Sequence, residues 1–288
     1  MDTMLDVQGL TKHYPGFSLA EVSFTVPAGF VMGLVGPNGA GKTTTLRSIL
    51  GLVRPNSGEI RVAGVDPEQD GAAARSRIGF VHDEPRFARH LTLASTARLV
   101  RRFYPDWDEP TFQRLSKAFG LTLGKRFGAL SRGTKMKFAL ALALSHRARL
   151  LVLDEPSSGL DPVFRRELLD VLLECLQDDQ VSILFSTHLT ADLDRIADYV
   201  TLLRGGRVVF SSSKDEILDG WGLVRGGLDL LQRPGCPAFR GLERHPHSFE
   251  AITDDAAAVR RWCGELATVE RPSLEDVVLL TAQGDQDG

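Results

Sequence analysis

Gly36-Pro37-Asn38-Gly39-Ala40-Gly41-Lys42-Thr43 is the stretch that decides the fold. It fits G-x-x-x-x-G-K-[ST], the phosphate-binding loop called Walker A. Its glycines let the backbone turn so tightly that successive N–H groups can point at one phosphate. Lys42 is set to reach the β- and γ-phosphate oxygens, and the Thr43 hydroxyl to bind Mg²⁺. Upstream, Phe30-Val31-Met32-Gly33-Leu34-Val35 is a short apolar run that reads as a buried strand. Downstream, Thr44 to Leu50 reads as a helix ending at Gly51. Strand, loop and helix in that order aim a helix N-terminus at the anion.

Three further motifs fall in chain order. Leu150-Leu151-Val152-Leu153-Asp154-Glu155 drives four apolar residues into a sheet and delivers two carboxylates at the strand's C-terminal end, where open α/β sheets bind ligands. Asp154 is placed to hold Mg²⁺ through water, and Glu155 to polarise an attacking water as general base. Ser186-Thr187-His188 closes the next apolar strand, Val181 to Phe185. A histidine there can bond the γ-phosphate and the attacking water. Leu130-Ser131-Arg132-Gly133-Thr134-Lys135 opens a helix carrying Met136 and Leu140. Ser131 is a good N-cap, and Gly133 lets an anion approach the first turn. By itself this last stretch is only a helix start.

The chain of 288 residues is 43% hydrophobic and 25% charged, an ordinary globular composition. A net charge of −3 gives no basic signature for nucleic acid or an anionic membrane. Arg98, Arg101 and Arg102 cluster, as a solvated helix face does. Cys175, Cys236 and Cys263 are too scattered for a disulfide framework or a zinc site. Cys175 falls on an apolar stripe and reads as core. No run reaches the roughly 18 apolar residues needed to span a bilayer, and the acidic N-terminus carries no apolar leader. The expected location is a reducing cytoplasm.

Residues from about 4 to 35 read as strands broken at Pro15-Gly16 and Pro27-Ala28-Gly29, and residues 58–64 as one more. Residues 84–148 are helix-rich and read as a helical insertion. Residues 150–211 alternate strand and helix and end in a hairpin around Arg204-Gly205-Gly206-Arg207, which implies a mainly parallel sheet. From about residue 220 the expectation is loops around short strands, then helices over 256–266 and 272–280. From about Gln283 the chain is expected to fray.

This order of motifs resembles that of ATP-binding-cassette ATPases: Walker A, a Leu-Ser-x-Gly signature, Walker B with Asp-Glu, then a switch histidine. The resemblance covers about residues 4–215. Phe103-Tyr104-Pro105-Asp106-Trp107-Asp108 and the unusual signature make the chain similar to exporter subunits of the bacitracin-resistance and acetoin-utilisation group. The resemblance implies an α/β P-loop NTPase fold. It would have a mainly parallel sheet, an antiparallel β subdomain, the helical insertion and a small α+β appendage. The implied division is an ATPase domain over 1–218 and an appendage over 219–288.

The resemblance also implies roles. ATP would lie on Gly36, Pro37, Asn38, Gly39, Ala40, Gly41, Lys42, Thr43 and Thr44, with Tyr14 stacking on adenine. Asp161, in Ser158-Gly159-Leu160-Asp161, would couple two active sites. Ser131 and Gly133 would serve ATP bound on a second subunit, in a homodimer or a heterodimer. Asp83 stands where the family has a glutamine beside the metal, so the metal set is Thr43, Asp83 and Asp154; Lys42, Glu155 and His188 are the catalytic set. Two departures stand out: Arg132 and Thr134 alter the usual Leu-Ser-Gly-Gly-Gln, and Asp83 adds a negative charge. The implied function is MgATP hydrolysis at the cytoplasmic face of a membrane, driving a separate permease, with a lean to export and no nucleic acid. The alternative is a soluble ATPase of the same family acting in regulation, on DNA or on ribosomes. DNA-acting members separate the two Walker motifs by long coiled coils, and translation factors carry two cassettes; neither pattern is present here.

Overall fold

The computed structural model describes residues 2–176 and 181–283. The expected fraying concerns residues that lie mostly outside those described. The chain begins with β1 (Thr3–Tyr14) and β2 (Phe17–Pro27), an antiparallel hairpin turned at Gly16. In β2, Val22, Phe24 and Val26 are buried, while Glu21, Ser23 and Thr25 between them are exposed. This is the alternation of a half-buried strand. Next come β3 (Val31–Val35), α1 (Lys42–Ile49), β4 (Ser57–Val62), α2 (Gly71–Ser76) and β5 (Ile78–Val81). β4 returns to β1 and completes an antiparallel sheet of order β2-β1-β4.

The helical insertion is α3 (Leu93–Val100), α4 (Glu109–Ala118) and α5 (Arg132–Ala143). Thr92, Asp108 and Ser131 cap these helices, each accepting from a backbone N–H three residues on. A free N–H in the first turn otherwise lacks a partner. Leu93, Phe112, Leu115, Phe127 and Phe138 form the insertion's own core.

The second half of the chain runs β6 (Leu150–Asp154), α6 (Pro162–Cys175), β7 (Ser182–Thr187), α7 (Thr190–Ile196), β8 (Tyr199–Arg204) and β9 (Arg207–Ser213). The central sheet has order β5-β6-β7-β3-β8-β9, parallel except for the β8–β9 hairpin. Its central strands β3, β6 and β7 are buried on both faces. Val31 and Val35 join one core cluster, Met32 and Leu34 the other; Leu151 and Leu153 divide from Leu150 and Val152 in the same way. Each such side chain taken fully out of water is worth about 1.5–3 kcal/mol. β5, an edge strand, is not evident from the sequence pattern. Gly79 within it lets α5 come close: an added Cβ would lie 2.7 Å from the Ala143 carbonyl oxygen.

Beyond β9 the chain forms α8 (Lys214–Gly220), β10 (Gly222–Gly227), β11 (Gly241–Arg244), β12 (Ser248–Thr253), α9 (Ala256–Cys263), β13 (Ala267–Glu270) and α10 (Leu274–Gln283). The four strands make an antiparallel sheet of order β11-β12-β10-β13; between β10 and β11 the chain runs mostly through loops, as expected for this region. α10 returns to α7. Leu274, Val277 and Leu280 enter the same core cluster as Leu193 and Ile196 of α7. The overall architecture is the expected α/β arrangement with one mainly parallel sheet, an antiparallel sheet beside it, and inserted helices.

Candidate nucleotide site

Residues 36–43 leave the C-terminal end of β3 and wrap the start of α1. Two glycines make that path possible. Gly36 has φ 152, and an added Cβ would sit 2.2 Å from the Leu203 carbonyl oxygen. Gly41 has φ 111, and its Cβ would sit 2.4 Å from Leu19 Cδ2. No other residue fits either place. The loop lines a cleft of about 420 Å³ shared with Phe17, Asp83, Asp154 and Glu155.

Lys42 is buried, with its ammonium turned into the loop. Nζ donates to the Gly36 carbonyl at 2.7 Å and lies 3.4 Å from Glu155 Oε1. Asp154 is also buried. Its Oδ2 accepts from the Thr43 hydroxyl at 3.5 Å, and its Oδ1 accepts from Ser186 at 3.3 Å. Burial pushes the Asp154 carboxyl up from the usual carboxylate range, with His82 and the Ser186 hydroxyl opposing.

The next residue diverges because of its backbone. Glu155 has φ 48, and its N–H donates to the Ser186 carbonyl at 3.0 Å. A left-handed conformation costs a non-glycine residue about 1–2 kcal/mol, and here it breaks the strand's direction between the two acids. Asp154 stays with Thr43 and Ser186. Glu155 swings to Lys42 and to His188, whose Nδ1 lies 2.7 Å from Glu155 Oε2. The rise from the strand end thus becomes a row: Lys42, Glu155, His188.

A hydroxyl and a carboxylate facing each other are hard oxygen donors of the kind Mg²⁺ prefers. Thr43 and Asp154 therefore fit the ion. Among the described residues no three His, Cys, Asp or Glu side chains converge as a ready-made metal centre, so the remaining ligands of such an ion would come from nucleotide and water. Asp83 reaches the same cleft, with its carboxylate engaged by His82 Nδ1 and by the Glu84 N–H.

The other expected residues lie elsewhere. Ser131 caps α5, bonded to the Thr134 N–H at 3.2 Å and to its hydroxyl at 2.8 Å. Gly133 is one turn in, and an added Cβ would meet Phe164 at 3.5 Å. Neither lines the Lys42 cleft; their neighbours Arg132 and Lys135 line a second cleft with residues 83–85. Asp161 caps α6, accepting from Val163 N–H at 3.1 Å and Phe164 N–H at 2.9 Å. The aromatic wall of the Lys42 cleft is Phe17. Tyr14, its partner across the hairpin turn, is exposed and does not line the cleft. The sequence signal for Phe17 was only its place after Gly16; which aromatic of the pair faces the loop depends on strand register.

Comparison with known proteins gives one consistent answer. A family profile described as "ABC transporter" matches residues 19–158. The Nod factor export ATP-binding protein I of Rhizobium leguminosarum bv. viciae is 33% identical, with 96% of this chain and 93% of that protein covered. The bacitracin transport ATP-binding protein BcrA of Bacillus licheniformis is 30% identical, covering 73% of this chain and 69% of BcrA. A solved structure titled "ATP binding subunit of ABC transporter" superposes with a TM-score of 0.69 at 30% identity, over 75% of this chain and 92% of that one. Among the described residues no helix is long and apolar enough to cross a membrane.

Proposed function

We propose, from the premise that this chain belongs to the ABC transporter family as an ATP-binding subunit, that it hydrolyses MgATP at a site completed by a second cassette and thereby drives a separate membrane permease. The observation that carries this reading is Glu155, held between Lys42 at 3.4 Å and His188 at 2.7 Å beside the phosphate loop. A carboxylate in that place has a cation to release and a histidine to steady it.

Phosphoryl transfer needs positioning and charge stabilisation more than covalent help from the protein. The nucleotide phosphates enter the loop, and Lys42 exchanges Glu155 and the Gly36 carbonyl for phosphate oxygens. Glu155, released by Lys42, orients the attacking water and takes its proton. His188, whose Nδ1 contacts Glu155, steadies the γ-phosphate with its other ring nitrogen. Thr43 and Asp154, with Asp83 beside them, hold Mg²⁺, which neutralises phosphate charge when bound. Phe17 supplies an aromatic wall, and Tyr14 stands outside it to reach adenine.

Ser131 and Gly133 of a second cassette, identical or different, close over the γ-phosphate from the far side. Asp161 and residues 158–160 lie between the two sites. In this division the ATPase unit runs to about residue 218 and residues 219–288 are an appendage. The permease sits against the helical insertion and the Asp83 loop, at the cytoplasmic face of the membrane. The names of the relatives, Nod factor export and bacitracin transport, favour outward transport.

Glu155→Gln tests the core of this reading. The variant keeps ATP affinity and loses hydrolysis by about 10²–10⁴-fold, the usual worth of a general base. Turnover equal to wild type removes Glu155 from the mechanism.

A further inference from the structure

Asp192 is 1% exposed and lies on α7, four residues beyond His188. Few carboxylates are buried so completely without a purpose that pays for desolvation. Both of its oxygens are committed. Oδ2 accepts from the Ser157 hydroxyl at 2.5 Å, and Oδ1 accepts from Arg165 Nε at 2.5 Å. Ser157 is itself buried and stands two residues after Glu155. Arg165 is on α6, just beyond residues 158–161. One carboxylate therefore ties together the segment carrying His188, the segment carrying Glu155, and the helix that Asp161 caps.

We propose that Asp192 is a positioning residue: it fixes the switch-histidine segment against residues 155–161, and so sets the contact between His188 and Glu155. The proposal rests on the hydrolytic reading given above. Its mechanics follow from two neighbours. Leu193 is packed so closely on β3 that a Cβ at Gly33 would lie 2.6 Å from Leu193 Cδ2. α7 is therefore anchored to the strand that feeds the phosphate loop, whatever happens at Asp192. Within residues 155–161 the apolar contacts are few: Pro156 is buried and Leu160 is only partly buried. Ser157 is their link to α7. With that link intact, a movement of residues 158–161 is felt at His188; without it the two segments move apart while the fold persists.

The full chain with substitutions Asp192→Asn, Ser157→Ala and the pair combined tests this. Asn keeps the shape and removes the ion pair; Ser157→Ala removes the link and leaves Arg165 paired. Each single change is expected to lower kcat by about tenfold or more while KM and the affinity for a fluorescent ATP analogue stay within about twofold. The double variant should be no slower than the slower single, because each change breaks the one junction that Asp192 makes between the two segments. Amide hydrogen exchange should rise together in residues 155–161 and 186–193 of Asp192→Asn. Two single variants within twofold of wild-type kcat overturn the proposal, as does a kcat loss matched by a rise in KM. Exchange that rises in α7 alone also overturns it. If Asp192→Asn does not fold, Ser157→Ala decides the question. If wild type itself shows no ATP turnover, the hydrolytic reading fails, and the exchange measurement alone decides whether the link exists.

Discussion

The Lys42 end of the molecule and the Ser131 end differ in how finished they are. At the first, Lys42, Asp154 and Glu155 are buried or nearly so; Lys42 is paired with Glu155, and Asp154 is bonded to Thr43 and Ser186. At the second, Ser131 is exposed and spends its hydroxyl on the cap of its own helix, and Gly133 meets only Phe164. Burying charge is costly unless it is paired, so the first group exists as a preassembled unit before any ligand arrives. Among the described residues the Ser131 hydroxyl serves only the start of its helix. The contrast teaches that one chain carries a preassembled charged group at its phosphate loop and, on another face, an exposed helix start that the proposed function turns into a lid.

The largest effect is expected where the cradle is broken. Lys42→Ala removes the cation that meets both the loop carbonyls and Glu155. Turnover should fall by about 10³-fold or more, since charge stabilisation in a preorganised site is usually the largest catalytic contribution. Affinity for ATP should fall as well, by about tenfold or more, measured by equilibrium binding. Turnover within tenfold of wild type would mean that the preassembled group is not the catalytic half.

At the other end the informative change is Gly133→Ala, because there stability and function should part. The added methyl finds ordinary contact with Phe164 at 3.5 Å, and alanine in a helix is better than glycine by about 0.5–1 kcal/mol. The melting temperature should hold or rise. ATP turnover should nevertheless drop about tenfold if, as proposed above, a phosphate bound on a second cassette approaches this turn. Ser131→Ala is a poorer probe, since losing the cap costs about 1 kcal/mol by itself and mixes the two effects. Unchanged turnover in Gly133→Ala would reduce this end to a helix start.

The same contrast governs what the sequence made legible. The cradle is local: eight consecutive residues, and a strand with two acids at its end, carry their chemistry in their order. The strand–helix alternation then places both at one edge of a parallel sheet. The Ser131 end is silent alone and was legible only through its likeness to a family. Phe17 escaped because a hairpin turn separates it from Tyr14, and register, not composition, decides which ring faces the loop. β5 escaped because Gly79, needed for the close approach of α5, interrupts its β pattern. Asp192 escaped because an acid beside an apolar helical stripe reads as solvated surface; only the fold reveals Ser157 and Arg165 waiting for it. Short strands were expected in the appendage, but their pairing into one sheet was not legible, because order and register between short segments far apart in sequence are not written in any one of them.

A smaller effect is expected between the two ends, at Gly159. Its φ is 66, and an added Cβ would lie 2.6 Å from Arg132 Nη1. The backbone cost of Gly159→Ala is about 1–2 kcal/mol, and a long arginine side chain can swing away from the methyl. Denaturant titration should show that loss. Adding Arg132→Ala should restore only the contact part and leave the backbone part. Full recovery would show that Arg132, and not the left-handed turn, dictates the glycine.

The smallest effect is chemical and serves as a gauge for the others. Burial pushes the Cys175 thiol up to about 11, with Arg114 opposing. At pH 8 about one folded molecule in a thousand then holds the thiolate, which is the reactive form. Alkylation of Cys175 should therefore be slow in the native protein and should accelerate on unfolding. The sign for stability follows. Below about pH 9 both states keep the proton and nothing changes; between about 9 and 11 the unfolded chain ionises first, so the contribution is lost as pH rises. Cys175 packs against the core cluster that also holds Phe164, beside Leu144 and Arg147 at the end of α5 away from Ser131. At pH 8 its labelling rate should be the same in Lys42→Ala and Gly133→Ala as in wild type, because each change is local. Faster labelling in Gly133→Ala alone would show that the methyl loosens the core behind α5, and its loss of turnover would then report unfolding rather than a missing lid.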